Sequence, residues 1–144
     1  MSPGRTALDS NVLNALLRRE PSAHRVAEVL GELRQTSTLV ISPVVYAELL
    51  AGPGASVQHI RRFLLSTGVT LDQQLPLEVW EETGRGYGEY ALRRKASGGG
   101  LPRRLLADFI VGAHAWQTCI CLVTLDPQHY RLAFPELKDR KSVV

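Results

Sequence analysis

Thr6-Ala7-Leu8-Asp9-Ser10-Asn11-Val12-Leu13-Asn14-Ala15-Leu16-Leu17 reads as a strand, a carboxylate and a helix in immediate succession. Thr6-Ala7-Leu8 is short, apolar and suited to the centre of a sheet. Asp9 or Ser10 then caps a helix that carries Val12, Leu13, Leu16 and Leu17 on one face. The same order returns downstream. Thr38-Leu39-Val40-Ile41 is a second strand, and Ser42-Pro43 opens the next helix with a hydroxyl cap followed by proline at the first helical position. Val69-Thr70-Leu71 is a third strand, and Cys119 to Thr124 a buried fourth. Between them lie helical patterns: Val26, Val29, Leu30 and Leu33 after the break at Glu20-Pro21-Ser22, then Ala55 to Ser66, Leu77 to about Lys95, and Asp108 to Trp116. Strands alternating with helices predict a parallel sheet with helices on both faces, and one α/β domain over residues 1–144. The tail from Phe134 is expected to add an edge strand.

Several details of that reading invite a test. Leu77, Trp80, Gly84, Tyr87, Gly88 and Ala91 form one stripe of the long fifth helix, which Gly84, Gly86 and Gly88 weaken by about 1 kcal/mol each relative to alanine. In the sixth helix Asp108, Gly112 and Ala115 share a face, with small residues that allow another backbone to approach, while Phe109, Ala113 and Trp116 lie on the adjoining core face.

A chain of 144 residues with 44 % hydrophobic and 22 % charged residues can build a real core. The net charge of +3 permits an acidic partner without demanding one, and arginine, which forks phosphates, greatly outnumbers lysine. Cys119 and Cys121 are too few and too close for a zinc site, and read as free thiols in a reducing compartment. Met1-Ser2-Pro3-Gly4-Arg5 leads straight into the first strand without a signal-peptide pattern, so a cytoplasmic location is expected. The apolar stretch from Leu105 to Leu125 contains Asp108, His114 and Gln117, which argues against a membrane span.

Four acids stand in otherwise apolar surroundings: Asp9, Glu48, Asp108 and Asp126. An ionised carboxylate in such a place costs several kcal/mol unless something compensates it, and none of the four has a lysine or arginine beside it in sequence. Asp9 and Asp126 follow strands, Glu48 lies in a helix that follows one, and Asp108 opens a helix. All four thereby fall at the carboxyl edge of the sheet, where such folds bind ligands. Oxygen-only ligands suit Mg²⁺ or Mn²⁺, ions that activate water and hold a phosphate. Taken singly, Asp9 and Asp108 are plain helix-cap residues and Glu48 a surface residue; the joint placement makes the metal reading the stronger one. Of the histidines, His114 is placed in surface or second-layer packing, and His129 has a small chance of touching substrate.

The segments Leu8-Asp9-Ser10-Asn11-Val12-Leu13, Ser42-Pro43-Val44-Val45-Tyr46-Ala47-Glu48-Leu49, Leu106 to Ala115 around Asp108, and Thr124-Leu125-Asp126-Pro127-Gln128-His129-Tyr130-Arg131 resemble, in order and spacing, the four motifs of PIN-domain nucleases of the VapC-like toxin branch. The resemblance spans nearly the whole chain. It implies a three-layer α/β/α fold around a mostly parallel sheet, a Mg²⁺- or Mn²⁺-dependent endoribonuclease, a homodimer and a small VapB-like antitoxin partner. By position it makes Asp9 and Asp108 the main metal ligands, with Glu48 and Asp126 completing the cluster, Thr124 orienting a carboxylate or water, and Asn11 in a mainly structural role. Tyr130 departs from the phenylalanine common at its position. Arg93, Arg94, Lys95, Arg103 and Arg104 flank a glycine-rich stretch ahead of Asp108 and are the candidate RNA contacts. Two other classes compete: a PIN-like module that binds RNA or protein without cutting, and a phospho-acceptor receiver domain. The intact acid quartet opposes the first; the lack of paired acids after the first strand opposes the second.

Overall fold

The computed structural model describes residues 4–99 and 105–134. Its elements are β1 (Gly4–Leu8), α1 (Ser10–Leu17), α2 (Ala23–Leu33), β2 (Ser37–Ile41), α3 (Pro43–Leu50), α4 (Val57–Thr67), β3 (Val69–Leu71), α5 (Leu77–Ala96), α6 (Leu106–Thr118), β4 (Cys121–Val123) and α7 (Gln128–Arg131). The four strands form one sheet in the order β3-β2-β1-β4, and every pairing is parallel. The sheet is flanked by helices, as the strand–helix alternation requires. The expected edge strand beyond Phe134 lies outside the described residues, as do Arg103 and Arg104.

β1 is central because it is buried on both sides: Thr6, Ala7 and Leu8 are almost fully shielded from solvent. The chain leaves β1 toward β2 on one side and reaches β4 on the other, so a crevice opens at the carboxyl ends of β1 and β4. Asp9 continues the pairing by one residue, its N–H donating to the Val123 carbonyl at 3.0 Å. It then caps α1 by accepting from the Ser10 N–H at 2.8 Å. Ser42 caps α3 in the same way toward Val45 N–H, with Pro43 at the first helical position. These caps place the N-termini of α1 and α3 at the sheet's carboxyl edge. Because α6 precedes β4, it runs back along the sheet and brings its own N-terminus, with Asp108, to the same edge.

Two details depart from the sequence reading. The stripe of α5 with Leu77, Trp80, Gly84, Tyr87, Gly88 and Ala91 faces outward, and the buried face carries Val79, Thr83, Gly86 and Tyr90. Gly84 and Gly88 meet only open space. In α6, nearly the whole circumference from Phe109 to Ala115 is buried, so no single core face exists. Gly112 makes room for the ring of Phe134 rather than for a backbone, since a Cβ there would overlap that ring.

Candidate active site

Asp9 is the hub. It is 7 % exposed, and three donors meet its carboxylate. Ser10 N–H reaches Oδ1 at 2.8 Å, while the Thr124 hydroxyl at 2.9 Å and the Tyr130 hydroxyl at 2.8 Å both donate to Oδ2. Burial nevertheless raises its proton affinity above the usual carboxylate range. The three hydrogen bonds pull the other way, and the charge of Asp108 adds to the rise. Tyr130 is pushed far above its ordinary range by burial and by the charge of Asp9, so it stays a hydroxyl donor.

Glu48 also sits above the usual range, first through burial and then through the charges of Asp9 and Asp108, against a hydrogen bond from Ser10. Its place one and a half turns into α3 brings it to the α1 N-terminus, a contact that the sequence spacing of 38 residues conceals. Asp108 accepts the Leu105 N–H at 3.1 Å and thereby caps α6. It also lies 2.9 Å from Nε2 of His129. The cap role and the site role coexist on one side chain. Asp9, Glu48 and Asp108 thus repel one another across a single crevice, and among the described residues no lysine or arginine pairs with Asp9 or Glu48.

Asp126 stands apart from this trio. Its side chain is 62 % exposed at the rim, and His129 Nδ1 lies 3.8 Å away. One imidazole therefore spans the gap between Asp108 and Asp126. The sequence reading gave His129 little weight, yet it occupies the acidic crevice. Its position at i+3 from Asp126 across the Asp126-Pro127 turn was the available signal. The Thr124 hydroxyl that donates to Asp9 also accepts from the Asp126 N–H at 3.1 Å. Asn11 braces the same strand end: its Nδ2 donates to Thr124 Oγ1 at 3.4 Å, and its Oδ1 accepts the Leu125 N–H at 3.2 Å.

The donor set suits a hard cation, since every charged group in the crevice is a carboxylate. As they stand, no three acids, histidines or cysteines among the described residues converge closely enough to hold an ion. Arg93, Arg94 and Lys95 form the last turn of α5. Among the described residues no helix is long and apolar enough to cross a membrane.

A central β1 flanked by β2 and β4, with acids gathered at their carboxyl ends, defines a PIN-like α/β/α fold. The PIN domain family model matches residues 6–135, and the chain belongs to that family. Among solved structures, the chain resembles VapBC-1 from nontypeable Haemophilus influenzae, with 23 % identity and a TM-score of 0.59 over 92 % of this chain and 94 % of that one. It also resembles VapBC2 from Rickettsia felis, solved bound to a DNA fragment from its promoter, with 18 % identity and a TM-score of 0.56 over 93 % of each chain. A search of curated proteins finds no match.

Proposed function

We propose that this protein is a Mg²⁺- or Mn²⁺-dependent ribonuclease and acts in the cytoplasm as the toxin of a toxin–antitoxin pair. The observation that carries the reading is the gathering of Asp9, Glu48 and Asp108, three acids from remote segments, where burial raises the proton affinity of Asp9 and Glu48 and the charge of Asp108 adds to both. Repulsion of this kind disfavours the bare site, and a divalent cation relieves it. Bound there, Mg²⁺ or Mn²⁺ would hold the scissile phosphate and generate the attacking hydroxide. Asp9 and Asp108 are assigned as the principal ligands, with Glu48 and the rim residue Asp126 completing the set, some through water. Thr124 and Tyr130 hold Asp9 in one rotamer, and Asn11 keeps Thr124 in place. His129 must release Asp108 for that carboxylate to turn toward an ion.

The likeness of the fold to the VapBC structures supports a small VapB-like antitoxin as partner. The first turns of α5, where Leu77 and Trp80 are exposed, support a homodimer. A PIN module without cleavage would have no need of three crowded acids. Incubating the purified protein with RNA separates the readings. We expect cleavage with Mn²⁺, none with EDTA, and none from Asp108→Asn. Intact RNA in the presence of Mn²⁺ would leave only the binding module.

A further inference from the structure

The C-terminal half of α5 carries an open pocket of about 430 Å³, lined by Tyr87, Tyr90, Arg94, Lys95 and the Gly98-Gly99 turn. We infer that this pocket takes an unpaired nucleobase of the RNA strand, stacked on Tyr87, with the flanking phosphates on Arg94 and Lys95. The inference rests on the ribonuclease reading for the identity of the strand.

The pocket joins the two features that single-stranded nucleic acid requires: an aromatic platform and fixed cations. Tyr87 lines the pocket and is more than a third exposed, so its ring is accessible to a base. The ring is held from below. It meets Phe109 edge to face at 5.3 Å between centroids, and Tyr90 lies 5.5 Å from the same phenylalanine. A platform braced in this way loses little side-chain freedom when a base lands on it. Phe109 follows Asp108 in α6, so the platform sits directly behind one wall of the acidic crevice. A strand crossing the crevice would pass over α5 within a short step.

The charge is complementary as well. Arg93, Arg94 and Lys95 form the last turn of α5, and the Nε atoms of Arg93 and Arg94 are shielded from solvent without a hydrogen-bond partner among the described residues. Arg94 and Lys95 line the pocket itself and present cationic groups suited to phosphate oxygens. Gly98 and Gly99 both adopt left-handed φ values, +70° and +83°, which side-chain-bearing residues rarely adopt. Among the described residues, this side of the rim is formed by the backbone of Gly98 and Gly99.

The test measures binding separately from cleavage. In the Asp108→Asn protein with Mn²⁺, titration of a fluorescent single-stranded RNA of mixed sequence should show about tenfold weaker binding for Tyr87→Leu and unchanged binding for Tyr87→Phe. The salt slope of the Tyr87→Leu protein should equal that of its parent. Arg94→Gln with Lys95→Gln should reduce the slope by about 1.4, the share of two single-strand phosphates. An abasic strand of the same length should bind the parent and Tyr87→Leu equally. Unchanged affinity in a Tyr87→Leu protein with a normal melting temperature overturns the inference. So does a polyglutamate peptide of equal charge that binds as well as the RNA, because the patch would then attract anions of any kind. Loss of folding in Tyr87→Leu is handled by Tyr87→Trp, which should keep or strengthen binding; weakening there also overturns it. Cleavage that persists with no dependence on Tyr87 removes this subsite alone, whereas Tyr87-dependent binding without Mn²⁺-driven cleavage removes the nuclease reading alone.

Discussion

Two polar clusters lie within this small sheet, and they handle charge in opposite ways. At the carboxyl edge, Asp9, Glu48 and Asp108 share a crevice and repel one another. Elsewhere on the sheet Arg5 pairs with Asp72 and donates through Nε to the Thr118 carbonyl at 3.1 Å. His114, 1 % exposed, completes that second group with Nε2 2.7 Å from the same Asp72 oxygen. The Arg5 cluster neutralises itself and ties β1, the end of β3 and α6 together. The acidic cluster does not close its charge locally, which is why we propose that an external cation completes it. A structural network and a reactive one differ here less in residue type than in whether their charges close locally.

The contrast can be broken most forcefully at its acidic end. Asp9→Asn or Asp108→Asn should lower RNA cleavage by more than about a hundredfold, beyond the range typical of residues that only support a ligand. The metal-free melting temperature of each variant should stay level or rise. Loss of apo stability in both would mean that these carboxylates serve the fold. Metal sharpens the same point. Mn²⁺ at about 100 times its dissociation constant should stabilise the parent by about 2.7 kcal/mol, read by urea denaturation, and should leave Asp9→Asn nearly unmoved.

At the self-neutralised end the sign reverses. Asp72→Ala strands Arg5 and His114 together, and urea denaturation should show a loss of about 1–3 kcal/mol, kept at the lower end because Arg5 is 38 % exposed. Cleavage measured well below the melting temperature should be retained. Tyr130→Phe lies between the two regions. It removes one of the two hydroxyl donors on Asp9 Oδ2 without a change in shape, and should cost about 1 kcal/mol in the metal-free protein, with Thr124 still in place.

The smallest expected effect is on pH dependence, and there the clusters oppose each other. Burial holds His114 below its ordinary range, only partly countered by Asp72. The unfolded chain then takes the proton more readily, so this group's contribution is lost as pH falls below about 6.5. Asp9 and Glu48, raised by burial, act in the other direction. Their contribution in the metal-free protein is complete below the ordinary carboxylate values and is lost as pH rises through the raised ones. The denaturant midpoint at pH 5.5, relative to that at pH 7.5, should therefore be higher in His114→Gln than in the parent, and an unchanged difference would remove His114 as the source.

Much of the carboxyl edge was legible in the chain itself. The caps at Asp9 and Ser42, the strand–helix alternation and the interruption of apolar runs by Asp9, Glu48 and Asp108 all depend on neighbours within about a turn. Thr124 was legible too, through motif position. The Arg5–Asp72–His114 group was not, because its members are separated by 67 and 42 residues and none interrupts a pattern. His114 was expected in surface or second-layer packing because it lies on the helix face opposite Phe109 and Trp116, yet α6 is enclosed on nearly all sides. The outward turn of α5 was missed for a similar reason: small residues pack closely only when something approaches, and the sequence does not say from where.

Residue order alone determined which segments are strands and helices, where the helices begin, and at which end of the sheet the acids fall, since hydrogen-bond periodicity and capping act over a few residues. Only the tertiary structure decided that three of those acids confront one another while Asp126 stays at the rim, that His129 and Tyr130 reach into the crevice, and that Arg5 is spent on Asp72. Coulomb interaction and desolvation depend on distance through space and on enclosure, and neither quantity is written along the chain.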